Sequence, residues 1–254
     1  MISGTYILAG VAIRIESIFD EVQQMCMDYR TDAAPEITVC TTLADIVEEG
    51  RLSDEERKLE GLPEYHYEQP YLETLAVYRQ IATALLSRGV MLIHGSVIAV
   101  DGEGYMFTAL SGTGKSTHVR LWRELFGERA VMVNDDKPLV RVSEEDSPLV
   151  YGTPWDGKHH LSTNIAVPLR AIVLIERGAE NEIHPISAEE AFPTLLQQSF
   201  RPEDPMLTIQ TLQLLSLLSQ KVGLYRLHCN MDPDAARVAY EGMVSSAKRT
   251  KANG

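Results

Sequence analysis

The stretch Ala109-Leu-Ser-Gly-Thr-Gly-Lys-Ser-Thr117 decides how this chain is read. A hydrophobic run of strand character, residues 105–110, leads into it. A helical pattern follows, with Val119, Trp122, Leu125 and Phe126 on one face. Strand, Gly-rich turn and helix in that order are the context of a phosphate-binding loop. Gly112 and Gly114 let the backbone curl so that successive N–H groups point at phosphate oxygens. The next helix adds the positive end of its dipole. Lys115 carries a flexible ammonium to the β- and γ-phosphates. Ser116 offers a hydroxyl oxygen to Mg²⁺, a hard ion that prefers oxygen. Ser111, Thr113 and Thr117 complete the expected nucleotide-binding set. Ala109 stands where such loops usually begin with glycine, and alanine is the smallest departure from it.

Past the helix, Val131-Met-Val-Asn-Asp-Asp136 is a short hydrophobic strand that ends in two carboxylates. After a phosphate loop, one of these can hold Mg²⁺ while the other accepts a proton from an attacking hydroxyl. Such a division separates a kinase from a nucleotidase that only positions water. Ahead of the loop, residues 90–100 read as one buried strand. Asp101-Gly-Glu-Gly104 has turn chemistry, and residues 105–110 return as a second strand, so a hairpin precedes the loop. His94, in Ile-His-Gly-Ser96, ends a strand before the turn, and on the residues alone a lone histidine is more often structural than a participant.

Further on, Tyr151-Gly-Thr-Pro-Trp-Asp-Gly-Lys-His-His160 is a shaped loop with contact chemistry. Lys158 is placed to meet a transferring phosphate, whose equatorial oxygens need positive charge. Trp155, Asp156, Asn164 and Arg170 are the candidate substrate contacts. His159 and His160 are adjacent and do not make a metal pair, since their side chains do not face one point and no third ligand is evident.

The segment His94–Trp122 followed by Val131–Val140 resembles the kinase domain of HPr kinase/phosphorylase and its short relatives, and more distantly ATP-type phosphoenolpyruvate carboxykinase. In those families a His-Gly strand, a hairpin, a Ser-Gly-x-Gly-Lys loop and an Asp-Asp strand end come in this order. The resemblance covers residues 94–142 and is motif-poor from there to about residue 240. It implies an α/β fold in which the P-loop sits in a mixed, largely antiparallel sheet flanked by helices. It implies ATP and Mg²⁺ as cofactors, Asp135 as proton acceptor, Asp136 with Ser116 on the metal, and His94 close by. It also implies a homo-oligomer. The segment around Arg170 and Arg177 departs from the Glu-containing, Arg-Gly-rich stretch of HPr kinases, so HPr as acceptor and the reverse phosphorylase reaction are not carried over. The chain is also about half a carboxykinase's length. The expected function is transfer of a γ-phosphate to a hydroxyl, on a serine of a peptide or protein or on a small serine-like alcohol. The rival readings are a nucleotide-gated switch and a carboxykinase-like enzyme.

Composition bounds these readings. The chain has 254 residues, 44% of them hydrophobic and 23% charged, enough apolar material for a core. Lys and Arg total 23 against 36 Asp and Glu, a net charge of −13. That excludes the basic footprint that nucleic acid or an anionic membrane surface would need. Cys26, Cys40 and Cys229 are odd in number and show no paired spacing, which points to a reducing compartment. With neither a secretory signal nor an apolar run long enough to span a bilayer, the expected location is the cytoplasm.

The domain reading is a small N-terminal α+β segment over residues 1–68 and an ATP-binding domain over residues 69–254. In the first part, residues 6–15 read as a strand, 18–29 as a helix and 36–41 as a strand, and 44–61 as solvated helix and loop. Residues 61–70 read as a connector and 71–88 as an amphipathic helix ending at Gly89. In the second part, strands are expected at 138–142, 149–151, 170–175 and 223–227. Ser187 and Glu190 form a capping box before a helix to about Gln198. Residues 203–221 are helical, and Asp232-Pro233 opens a last helix.

Overall fold

The structure, a computed structural model, describes residues 1–59, 61, 63, 65–109 and 113–252. They divide into two compact units, Met1–Leu85 and Leu86–Gly254.

In the first unit, β1 (Ile2–Leu8) and β2 (Val11–Ser17) form an antiparallel hairpin. The single strand expected over residues 6–15 is therefore two, because Ala9 and Gly10 turn the chain with φ of 48° and 74°. The helix expected over 18–29 shrinks to α1 (Glu21–Met25) and one 3₁₀ turn. β3 (Ile37–Cys40) runs parallel to β2, and α2 (Leu43–Leu59) follows it. α3 (Gln69–Leu85) was grouped by sequence with the second domain, but it packs against α1, α2 and β3 in the first unit. Its Glu73 is fully buried. The carboxylate accepts from the Ile18 and Phe19 N–H groups at 2.7 and 2.8 Å and from the Thr41 hydroxyl at 2.5 Å. One side chain thus ties the ends of β2 and β3 to the helix.

The second unit is a mixed sheet between two layers of helices. In chain order it contains β4 (Val90–Leu92), β5 (Ser96–Val100), β6 (Glu103–Thr108), α4 (Lys115–Phe126), β7 (Ala130–Asn134), β8 (Leu139–Arg141) and β9 (Leu149–Tyr151). Then come β10 (Ala166–Arg177), β11 (Glu182–Pro185), α5 (Ala188–Gln198), α6 (Pro205–Lys221), β12 (Gly223–Cys229) and α7 (Asp234–Ala252). Among the described residues the strand order is β4-β8-β9-β10-β6-β5-β7, with β12 on β10 and β11 on β12. Only β10 with β6 and β10 with β12 are parallel, so the sheet is mixed and largely antiparallel.

Period-two alternation serves both faces. Ile172 and Leu174 of β10 join Ala191, Leu195, Leu215 and Leu218 of α5 and α6. Ala171, Val173 and Ile175 join Trp122 of α4 and Ala235 and Ala239 of α7. The capping box of α5 forms as expected, Ser187 N–H to Glu190 at 2.9 Å and Glu190 N–H to the Ser187 hydroxyl at 3.2 Å.

Two corrections bear on the site. Residues 90–100 are not one strand: β4 pairs with β8 and β5 pairs with β6 and β7, with a break at Ile93–Gly95. β10 is also longer than the strand expected from Arg170 and contains Pro168 opposite Leu149. Among the described residues, no helix is long and apolar enough to cross a membrane.

Candidate functional site

β5 is antiparallel to both β6 and β7, so its first residues and the last residues of β6 and β7 share one sheet edge. That edge gathers His94, Ser96, the start of α4 and the Asp135-Asp136 turn. Leu110, Ser111 and Gly112 lie outside the described residues. Beyond them, Gly114 caps α4 with φ 114°, and the His118 N–H reaches its carbonyl at 3.0 Å. Lys115 turns its ammonium onto the Ala109 carbonyl at 3.1 Å. Thr113 and Thr117 are part-buried beside it.

The two carboxylates occupy different surroundings. Asp135 is buried and accepts the Ser96 hydroxyl at 2.8 Å. Burial pushes its carboxyl above the ordinary carboxylate range, against hydrogen bonding from Ser96 and Ser116 and the charge of His159. Asp136 is more open. Its Oδ1 lies 3.1 Å from His94 Nε2, and its Oδ2 lies 3.5 Å from Lys137 Nζ. Burial again works to raise this carboxyl, but the His94 hydrogen bond and the Lys137 charge outweigh it and hold it below the usual range. The break between β4 and β5 is what delivers His94. The His94 N–H bonds the Gln198 carbonyl at 2.7 Å, its carbonyl accepts the Thr108 hydroxyl at 2.9 Å, and the next N–H, Gly95, bonds the Asp136 carbonyl at 2.9 Å.

Asn134 organises the turn. It is fully buried. Its Oδ1 accepts from the Asp136 and Lys137 N–H groups at 2.8 and 2.7 Å, an Asx turn. Its Nδ2 donates to the Thr153 carbonyl and hydroxyl, both at 3.0 Å, and to the Trp155 carbonyl at 3.4 Å. The Thr153 hydroxyl returns a bond to the Lys137 carbonyl at 2.9 Å. One amide therefore locks the acidic turn to the loop after β9. Gly157 completes the fit with φ 73°, and a Cβ there would stand 3.1 Å from that of Asp136.

This loop places the remaining candidates unevenly. Trp155 is buried, and Asp156 is buried between His160 Nδ1 at 3.1 Å and the Ser162 hydroxyl at 2.8 Å. Both therefore build the loop from within. Lys158 and His159 are exposed in a 3₁₀ turn on the loop. Asn164 is exposed next to Thr163, whose N–H reaches the Val133 carbonyl at 3.3 Å. Arg170 is not brought to this edge. It follows Leu169, which pairs with Gly104 at the opposite end of β6. Ser96, Asn134, Thr153 and Lys137 are site residues that the sequence reading passed over. An Asn immediately before Asp-Asp is an Asx-turn signal that could have revealed the second of them.

The site's chemistry suits a hard divalent ion. Asp135 is a buried carboxyl, and Ser116 beside it adds a hydroxyl oxygen. Among the described residues, no cluster of three or more His, Cys, Asp or Glu could hold a metal. An ion here would take its other ligands from water and phosphate, as Mg²⁺ does.

A solved HPr(Ser) kinase/phosphatase from Coxiella burnetii is similar over 64% of this chain and 93% of its own, at 11% identity and a TM-score of 0.30, too slight to support an argument. No curated protein matches the chain. The family model described as SynChlorMet cassette protein ScmC matches residues 68–231, which span the whole of this site. That match covers well over half of the sequence, and the chain belongs to the ScmC family of SynChlorMet cassette proteins.

Proposed function

We propose that this protein is an ATP- and Mg²⁺-dependent phosphotransferase that acts on a hydroxyl, with a serine of a peptide or a small serine-like alcohol as acceptor. The observation that carries the reading is the pairing of unlike carboxylates at one sheet edge. One is buried beside Ser116 and the other is open and paired with His94. The motif resemblance around Gly114-Lys-Ser-Thr117 supplies the choice of ATP.

The surroundings favour reversing the expected division of labour. Asp135, buried next to Ser116, is the metal-side carboxylate. Asp136 is the proton acceptor, since it is the more accessible of the two carboxylates and His94 Nε2 stands 3.1 Å from its Oδ1. Mg²⁺, when bound, would neutralise charge on the β- and γ-phosphates. Lys115 and the N–H groups opening α4 hold the phosphates. Asp136 takes the proton as the acceptor oxygen bonds the γ-phosphorus and the bond to the ADP oxygen breaks. His94 orients Asp136 through Oδ1, and Lys158 adds positive charge beside the transferring group.

The test is ³¹P NMR of the protein with ATP, Mg²⁺ and a panel of free serine, small alcohols, HPr and serine-containing peptides. A new phosphoester resonance that Asp136→Asn removes is the expected result. Bound, intact ATP with no ester across the panel would favour the switch reading.

A further inference from the structure

The first unit holds a groove of about 440 Å³ walled by α2 and α3 and floored by Thr38 and Val39 of β3. No residue of β1 or β2 lines it, so it runs along the outer side of β3. β3 is the last strand of its sheet, paired with β2 alone among the described residues. An edge of this kind presents backbone donors and acceptors to an incoming strand. Thr38 and Cys40 are exposed along it.

Charge says what would lie there. Residues 1–85 contain 16 Asp and Glu and 6 Lys and Arg, a net −10 of the chain's −13. The groove lining repeats the bias: it sets Asp45, Glu48 and Glu49 against one cation, Arg79, which Glu49 holds at 2.7 and 2.9 Å, while Arg51 on the same helix pairs with Glu48 from outside the lining. The family match begins at residue 68, so β3 and α2 lie outside it.

We propose that this groove binds an extended basic peptide segment of a partner, which adds a fourth strand along β3. Its backbone pairs with the β3 edge, and alternate side chains enter between α2 and α3. Lys or Arg at those positions meets Asp45 and Glu48. The proposal is independent of the catalytic reading, because its readout needs no nucleotide.

The test uses the full chain and three synthetic peptides: (Lys-Val)₅, (Glu-Val)₅, and (Lys-Val)₅ with N-methylated valines, which cannot donate backbone hydrogen bonds. Amide chemical-shift mapping is expected to place (Lys-Val)₅ on residues 37–40 and on the facing sides of α2 and α3. Both controls should bind at least about tenfold more weakly. Thr83→Trp, which fills the groove, should weaken binding by about the same factor. Charge reversal at the exposed wall, Glu48→Lys, gives a second variant that adds no bulk to the groove, although it also releases Arg51 from Glu48, and it should do likewise. Equal binding of the N-methylated peptide, shifts mapping elsewhere, or no shifts up to about 1 mM peptide would overturn the proposal.

Discussion

The two ends of β5 use similar chemistry to opposite effect. At its far end, Arg129 pairs with Asp101 through two hydrogen bonds, and both side chains are more than half exposed. At its near end, His94 pairs with Asp136 beside a buried Asp135, and every polar group is braced by another. Water already serves the first pair, so removing it leaves nothing unsatisfied. The second set stands in a low-dielectric setting, where each missing partner exposes a cost. What a charged pair does depends on where the sheet places it.

The contrast is broken most severely by Asp136→Asn. Transfer is expected to fall about 10³-fold or more, with nucleotide affinity nearly unchanged. Asp135→Asn should instead weaken Mg²⁺-dependent nucleotide binding, read by titration calorimetry with and without the metal. If the two variants exchange phenotypes, the assignment of base and metal ligand is reversed.

The next effect belongs to His118 in the first turns of α4. It is buried, accepts the Trp122 indole N–H at 3.0 Å, and burial brings its pKa down to about 4. The unfolded chain takes up this proton near pH 6.5 and the folded one does not, so stability falls with acidification through that window. Urea unfolding should lose about 3 kcal/mol between pH 6.5 and pH 4 from this group. His118→Phe should flatten that slope.

Asn134→Ala tests the brace directly. It orphans the N–H groups of Asp136 and Lys137 and the Thr153 carbonyl, at a cost of about 2–3 kcal/mol in urea unfolding. Faster hydrogen exchange at the Asp136 and Lys137 amides is expected with it. The smallest effect is Arg129→Ala, which should leave the melting temperature within experimental error. A clear drop there would mean that the two ends of β5 are not as different as their exposure indicates.

Local signals were legible in the sequence. Gly114-Lys-Ser-Thr117, the Ser187–Glu190 capping box and the Asp232 helix start act over a few residues, and the structure bears out the two helix starts. The strand over residues 170–175 was legible because a strand buried on both faces needs a continuous apolar run. Tertiary structure decided the rest. It split residues 90–100 so that His94 meets an aspartate 42 positions away. It turned Asn134 into a clamp on Thr153 and Trp155, and it set Arg170 at the wrong end of β6 for the site. It also folded α3 into the first unit around the buried Glu73. Caps and loops are decided by neighbours in the chain. A buried polar group is decided by whichever distant atom can satisfy it, and that partner exists only once the sheet has formed.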